Sequence, residues 1–221
     1  MIFEDNFTIG ICTSGCREAA VRDIKFGEIW HTKDITFESG KIYGLISEYG
    51  QGCMYLSYLL GGQADPGEIT VTYNGAAVDR SVLEENSLCL EPAAAPYGKK
   101  TVRKAIESAL AKGHSGDFQS LADRFMLTPE RYGRRFTELS GERMRAAAAY
   151  GCALGKRIDY APYNPSGFYH RMCASYLYRV LRELASYGAL VVLPCGSDAF
   201  LRYITDELIY LDPGFDGQDI Q

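Results

Sequence analysis

The sequence of 221 residues lacks any apolar run of about 18 residues, the length that a membrane-spanning helix requires. Its beginning, MIFEDNF, is acidic rather than signal-like, so we expect any membrane association to come through a partner. A basic stripe is missing too, because the formal net charge is -5, and this argues against a nucleic-acid surface. Internal repeats and low-complexity segments are also absent.

The seven cysteines include no CxxC pair, and their number is odd. Neither a disulfide framework nor a zinc site is therefore indicated. Cys12 and Cys16 lie four residues apart, but no second pair accompanies them, so we interpret them as ordinary thiols. This usage of cysteine fits a reducing cytoplasm.

Apolar residues make up 47% of the chain, which is enough for a substantial core. The first half reads as strands and turns, with one apolar helix that ends at a glycine pair. The predicted elements are a strand pair formed by Lys33–Phe37 and Lys41–Ile46, a helix over Cys53–Leu60, a strand over Glu68–Tyr73 that ends in a hairpin turn, and a strand over Ser87–Leu90.

The second half is mainly helical and ends in a βαβ pattern. Val102, Ala105, Ile106 and Ala109 share one face of a predicted helix over 101–112. The run ALVVL is continuous and β-branched, as expected for a buried parallel strand. Further helices are predicted over 118–126, 141–154, 173–186 and 197–205, with a last strand over 207–211. Together these elements predict an α/β core with a helical insertion.

Several segments, in this order, resemble the nucleotide-binding domain of an ABC transporter: GKIYGLI with a glycine loop, LLGG, GEITVTYNGAAVD, TVRKAIESAL, ELSGERMR, YRVLRELASYGALVVLP and DELIYLDPG. The resemblance covers nearly the whole chain. It implies one P-loop NTPase-like domain over residues 1–221, with an antiparallel β start and a mainly parallel core sheet. A helical subdomain is expected at about residues 95–155.

The segment SEYGQGCMY, from Ser47 to Tyr55, combines a strand end, a glycine loop and a helix start, the arrangement that cradles phosphate. In the family this loop normally ends in Gly-Lys-Ser or Gly-Lys-Thr. Here Cys53 stands where the lysine belongs and Met54 where the magnesium-binding hydroxyl belongs. The resemblance makes the following residues candidates for nucleotide binding: Gly50, Gln51, Gly52, Cys53, Met54 and Tyr55 in the loop, and Ser140 and Gly141 in the signature segment.

Other positions of the family's chemistry are also replaced. Counted back from RELA, the segment YNPSGFYH falls on the family's DEPTSGLD segment. Tyr163 then replaces the metal-directing aspartate, and Asn164 replaces the glutamate that polarises the attacking water. Gly196 stands where the switch histidine is expected, and Glu91 stands near the missing glutamine.

These replacements predict that phosphoryl transfer is lost, because it depends on lysine, Mg²⁺ and an oriented water. Glu48, inside the loop, would also repel phosphate. Lys41 lies at the other end of the preceding strand, about 17 Å away, although Lys99 or Lys100 is an alternative source of positive charge. We therefore expect weak ATP binding at most, no catalytic residue and no magnesium site.

Three alternatives remain open for the loop. Backbone N–H groups around the glycines would still attract an anion at the helix start. Phe26 or Trp30 would stack on a base, or would simply belong to the core. Cys53 would serve as a reactive thiol, since helix starts lower thiol pKa values, although no histidine neighbour is evident.

The signature segment has two interpretations. In the family it serves the ATP of the opposite subunit across a head-to-tail dimer. Ser140 and Gly141 persist here, while either Glu142 replaces a glycine or one residue is deleted. Alternatively, Ser140 is only the N-cap of the helix that follows.

The resemblance thus favours a degenerate, non-hydrolytic ABC transporter ATP-binding subunit. Its expected partners are a membrane permease and a competent ATP-binding homologue, in a heteromer at the cytoplasmic face of the cell membrane. The competing functions are an active ATP-hydrolysing subunit and a free-standing interaction module that reuses the fold.

Overall fold

The computed structural model describes residues 6–12, 34–47, 52–67, 69–91, 97–112, 116–161 and 177–211, together with the backbone of 19–20 and 28–29. The strands are β1 (Thr8–Cys12), β2 (Ala19–Ala20), β3 (Glu28–Ile29), β4 (Ile35–Glu38), β5 (Ile42–Ile46), β6 (Thr70–Tyr73), β7 (Ala76–Ala77), β8 (Ser87–Cys89), β9 (Ile158–Tyr160), β10 (Leu190–Cys195) and β11 (Glu207–Tyr210). The helices are α1 (Cys53–Leu60), α2 (Arg80–Asn86), α3 (Val102–Leu110), α4 (Phe118–Arg124), α5 (Arg143–Ala153), α6 (Leu177–Ser186) and α7 (Asp198–Leu201).

A parallel sheet forms the centre of the fold, with the strand order β11-β5-β10-β9-β8. Every residue of β5 and β10 is buried, because helices or a second sheet cover both faces. The prediction that ALVVL forms a buried parallel strand is confirmed, since β10 pairs in parallel with both β5 and β9.

An antiparallel sheet packs over one face of this centre, with the order β4-β1-β6-β7. Asn74 and Gly75 both have positive φ and form the turn between β6 and β7, as the predicted hairpin requires. Helix α1 packs on β5, β9 and β10, and its apolar side chains share one core with those of the antiparallel sheet. The phosphate-loop helix is therefore enclosed between two sheets.

The predicted pairing of Lys33–Phe37 with Lys41–Ile46 is wrong. Strand β4 pairs with β1 in the antiparallel sheet, whereas β5 lies in the parallel sheet between β11 and β10. A turn at Gly40, where φ is 74°, carries the chain from one sheet to the other. The burial patterns explain the difference, because β4 alternates between buried and exposed residues while β5 is buried throughout.

Helices α5 and α6 pack on the parallel sheet, and α3 and α4 pack on α5, so that all four share one core with the sheet. The buried residues of α3 are the four that the sequence places on one face. Thr101 caps this helix by accepting a hydrogen bond from the Lys104 amide. The mixed α/β fold with an antiparallel start is confirmed, whereas α2 and the strands β1, β2, β3 and β9 were not predicted from the sequence.

Candidate functional site

The phosphate-loop position joins the end of β5 to the start of α1. Ser47 follows β5 and is 1% exposed, and its hydroxyl oxygen accepts a hydrogen bond of 3.0 Å from the Cys53 amide. Gly52 is buried and has φ of 121°, a conformation that favours glycine. The first amide of the helix, which would otherwise face an anion, is thus satisfied within the chain. Glu48, Gly50 and Gln51 lie outside the described residues.

Cys53, in the place of the phosphate-binding lysine, is a buried neutral thiol. It is 1% exposed, and its sulfur lies 3.9 Å from the carbonyl oxygens of Ser47 and Cys195. Burial raises the pKa of Cys53 to about 11, even though Ser47 lowers it through hydrogen bonds. The alternative of a reactive thiolate is therefore wrong, because desolvation of the sulfur outweighs the favourable position at a helix start.

The next two residues of the helix also belong to the core. Met54 is 9% exposed, and a thioether is no ligand for the hard cation Mg²⁺. Tyr55 is buried, and its hydroxyl donates a hydrogen bond of 2.7 Å to the carbonyl oxygen of Asp65. Both residues hold α1 in place, and neither directs a charge toward the loop.

The lysines considered as substitutes are held elsewhere. Lys41 lies at the amino-terminal end of β5, where its ammonium forms an ion pair of 2.7 Å with Glu38. Lys100 donates a hydrogen bond of 3.1 Å to the Ser108 hydroxyl on α3. Lys99 is exposed in the same turn before α3. The described contacts therefore bring neither Lys41 nor Lys100 to the phosphate loop.

Of the remaining positions that the resemblance singles out, two lie in the described residues and the others do not. Gly196 is exposed directly after β10 and offers no side chain. Glu91 follows β8, and burial raises its pKa while the Arg143 guanidinium lowers it. The predictions for Tyr163, Asn164, Phe26 and Trp30 concern positions outside the described residues.

The signature segment leads into α5. Ser140 and Gly141 are exposed, and α5 begins at Arg143 with Glu142 in the N-cap position. The alternative in which Ser140 caps this helix is therefore wrong. Its main-chain carbonyl accepts a hydrogen bond of 3.2 Å from the Arg143 amide, so Ser140 belongs to the turn that precedes the helix, two residues before the N-cap.

Glu142 has a role that the sequence analysis missed. Its carboxylate is 9% exposed and accepts hydrogen bonds from the amide (2.9 Å) and the hydroxyl of Thr128. It also forms ion pairs with Arg145 at 3.0 Å and with Arg131 at 3.4 Å. These contacts neutralise the charge and tie the exposed Ser140–Gly141 turn to residues 128–131. The spacing of Glu142 and Arg145 by three residues within a helix was the signal available in the sequence.

A second buried carboxyl lies in the sheet itself. Asp159 of β9 is 1% exposed, and its two oxygens have no hydrogen-bond partner among the described residues. Burial raises its pKa from 3.8 to about 8, although the Lys156 ammonium lowers it. This group is therefore a protonated acid in the core at neutral pH.

Within the part of the chain that the structure describes, no group of three or more His, Cys, Asp or Glu side chains is placed to hold a metal ion. The same described residues contain no helix of the length and apolarity that crossing a membrane requires.

Comparison with known proteins gave matches at the level of structure alone. No protein-family profile matches the sequence, and no curated protein is significantly similar to it. CbiO1 from Clostridium perfringens, described as part of the ABC transporter complex CbiONQ, is 13% identical with a TM-score of 0.67, over 88% of this chain and 82% of its own.

Two further structures match over most of their length. A nucleotide-free ATP-binding cassette from an ABC transporter is 13% identical with a TM-score of 0.67, over 93% of this chain and 87% of its own. MJ0796, a bacterial ABC transporter cassette with a dimeric structure, is 16% identical with a TM-score of 0.64, over 92% and 94%. The resemblance seen in the sequence is thus confirmed for the fold, which is that of an ABC nucleotide-binding domain.

Proposed function

We propose that this chain is a degenerate ATP-binding subunit of an ABC transporter, which does not hydrolyse ATP and acts as a structural or regulatory partner. The observation that carries the proposal is at the helix start, where the Ser47 hydroxyl accepts a hydrogen bond from the Cys53 amide beside a buried thiol. The fold has the place for a phosphate loop, but the residues in it serve the core.

Electrostatics supports the absence of hydrolysis. Phosphoryl transfer needs positive charge held against the phosphates, and removing such support costs orders of magnitude in rate. The neutral Cys53 supplies no charge, and Met54 supplies no oxygen for Mg²⁺. ATP would be bound weakly at most, through backbone amides, and magnesium would not be held by this loop.

The signature segment supports a role toward a partner. Ser140 and Gly141 are exposed, and space is open beside the Gly141 Cα. Glu142 does not present a free negative charge to a phosphate approaching this turn, because two arginines and Thr128 hold its carboxylate. The turn is therefore suited to ATP that is held on another subunit.

The assembly that follows is a heteromer with a competent ATP-binding homologue and a membrane permease, at the cytoplasmic face of the membrane. The likeness to CbiO1, itself described as part of an ABC transporter complex, supports the permease partner. In this assembly residues 1–221 act as one nucleotide-binding domain, and residues of about 95–155 form its helical subdomain.

Purification of the complex from the native host tests this proposal. We expect an ATPase homologue and a permease to co-purify with the chain, and we expect Ser140→Arg to lower the ATPase activity of the complex. Thr137→Arg, at an exposed position three residues earlier, is the control. A partner ATPase that is equally active with wild-type chain and with Ser140→Arg would contradict the role of the signature segment.

A further inference from the structure

A cavity of about 370 Å³ lies at the edge of the parallel sheet that is opposite to the phosphate loop. Its lining includes the turn before β9, at Gly155–Arg157, and Ala189 before β10. The phosphate loop instead follows the carboxyl end of β5, which runs parallel to β10. The two places are thus separated by the length of the sheet, and nothing in the proposed nucleotide chemistry uses the cavity.

Part of the cavity lining is apolar and comes from several elements. Leucines come from α3, α4 and α6, and the Cys152 thiol of α5 lies among them. Burial raises the pKa of Cys152 to about 12, so the thiol is neutral and adds no negative charge. The apolar lining residues are Leu110, Leu121, Leu184, Ala189 and Cys152.

Another part of the lining carries positive charge. The Arg124 guanidinium lies 4.9 Å from the centre of the Tyr187 ring, a cation–π contact that orients it. Arg157 is fixed by a hydrogen bond of 2.6 Å from its guanidinium to the Tyr187 carbonyl oxygen, and Lys156 by one of 2.5 Å to the Glu85 carbonyl oxygen. Three cationic side chains are thus held in defined places around one opening.

Negative charge is scarcer in the same lining. Asp117 is its one carboxylate among the described residues, and it caps α4 by accepting a hydrogen bond of 3.0 Å from the Ser120 amide. Carboxylates outside the lining also act on its cations, Glu183 on Arg124 and both Glu84 and Glu85 on Lys156. The balance of the cavity is therefore positive, although the chain as a whole has a net charge of -5.

We propose that this cavity binds a small organic anion with an apolar body, such as a medium-chain carboxylate. The apolar body lies against the leucines, and the anionic head lies toward Arg124 and Arg157. Ligand cavities in proteins combine these features, with a volume above about 300 Å³, mainly apolar walls and a few fixed polar groups. A planar guanidinium also matches the geometry of a carboxylate.

The test uses the purified full-length chain with 8-anilinonaphthalene-1-sulfonate, a fluorescent anion with an aromatic body. We expect octanoate to displace the dye, and we expect octan-1-ol, which has the same apolar body without the charge, to displace it at least about 10-fold less well. Equal displacement by octanol would overturn the assignment of an anion.

Variants locate the site. Arg124→Gln should weaken octanoate binding about 10-fold, because a charge-assisted contact is lost. Arg103→Gln is the matched control. Like Arg124, Arg103 is exposed and its guanidinium lies over an aromatic ring, 4.6 Å from the centre of the Phe118 ring, but Arg103 does not line the cavity. Ser120→Trp, at an exposed lining position, should block binding without removing a charge.

Amide NMR shifts give a second readout. Octanoate should shift the signals of Gly116 and Gly155, which line the cavity, and leave those of Gly52 and Gly196 unchanged. Shifts confined to Gly52, or unchanged affinity in both Arg124→Gln and Ser120→Trp, would overturn the proposal. This outcome is independent of ATP hydrolysis, so failure of the cavity and failure of the proposed function are distinguishable.

Discussion

The Ser47 hydroxyl accepts a hydrogen bond of 3.0 Å from the Cys53 amide, and this contact satisfies the first amide of the phosphate-loop helix from within the chain. Both residues are 1% exposed. A phosphate that used this amide would have to displace the hydroxyl, and it would meet a neutral sulfur at residue 53 instead of an ammonium. The contact therefore links the sequence change at residue 53 to the proposed loss of hydrolysis.

Removing this contact should destabilise the protein. Ser47→Ala leaves the Cys53 amide buried without a hydrogen-bond acceptor, so we expect a loss of about 1–2 kcal/mol in the free energy of unfolding. Ser186→Ala is the control, because its exposed hydroxyl bonds only the local Glu183 carbonyl oxygen. Urea denaturation measures both variants. An equal effect of the two substitutions would show that the hydrogen bond between Ser47 and Cys53 does not stabilise the fold.

Neutralising Glu142 should loosen the signature turn. Glu142→Gln removes the charge that Arg131 and Arg145 share and weakens the bonds from Thr128, so we expect a loss of about 1–3 kcal/mol. Hydrogen exchange at the amides of Ser140 and Gly141 should become faster in the same variant. Glu130→Gln, at an exposed position in the same region, should change neither quantity.

The sequence predicted those elements whose residues fit a single pattern. The apolar faces of α3 and β10 were identified correctly, because burial there follows helical spacing or a continuous apolar run. The pairing of β4 and β5 was predicted wrongly, because sequence neighbours joined by a short turn resemble a hairpin even when the turn connects two sheets.

The site was predicted in part. The missing lysine and hydroxyl can be read directly from positions 53 and 54. The roles of Ser47 and Glu142 could not be read in the same way, because each depends on a partner that folding brings close. The protonated state of Asp159 likewise follows from its burial, which no local pattern of residues reveals.

The buried Asp159 predicts a dependence of stability on pH. Its pKa is raised from 3.8 to about 8, so between these values the folded protein holds a proton that the unfolded chain has released. The free energy of unfolding should therefore fall as the pH rises from about 4 to about 8, and this contribution should level off above that range.

The variant Asp159→Asn isolates the effect. In the wild type we expect the free energy of unfolding to decline by about 2 kcal/mol or more between about pH 4 and about pH 8. Asp159→Asn should remove this decline, because asparagine does not titrate. Asp79→Asn, at an exposed position before α2, is the control and should keep the wild-type slope. Unfolding by urea at several pH values measures the slopes. The same slope in Asp159→Asn as in the wild type would mean that Asp159 does not hold the proton.

The central claim is that this chain does not hydrolyse ATP. The most direct test measures ATP binding and ATP hydrolysis by the purified full-length chain, each with and without Mg²⁺. The Cys53 amide is bonded to Ser47, and the Cys53 thiol is neutral. We therefore expect no hydrolysis above background, and we expect that Mg²⁺ does not strengthen ATP binding. Ser47→Ala is the control. It removes the hydrogen bond to the Cys53 amide without supplying a lysine, so it should not create ATPase activity. Magnesium-dependent turnover by the isolated wild-type chain, abolished by substitution of Lys99 or Lys100, would contradict the account.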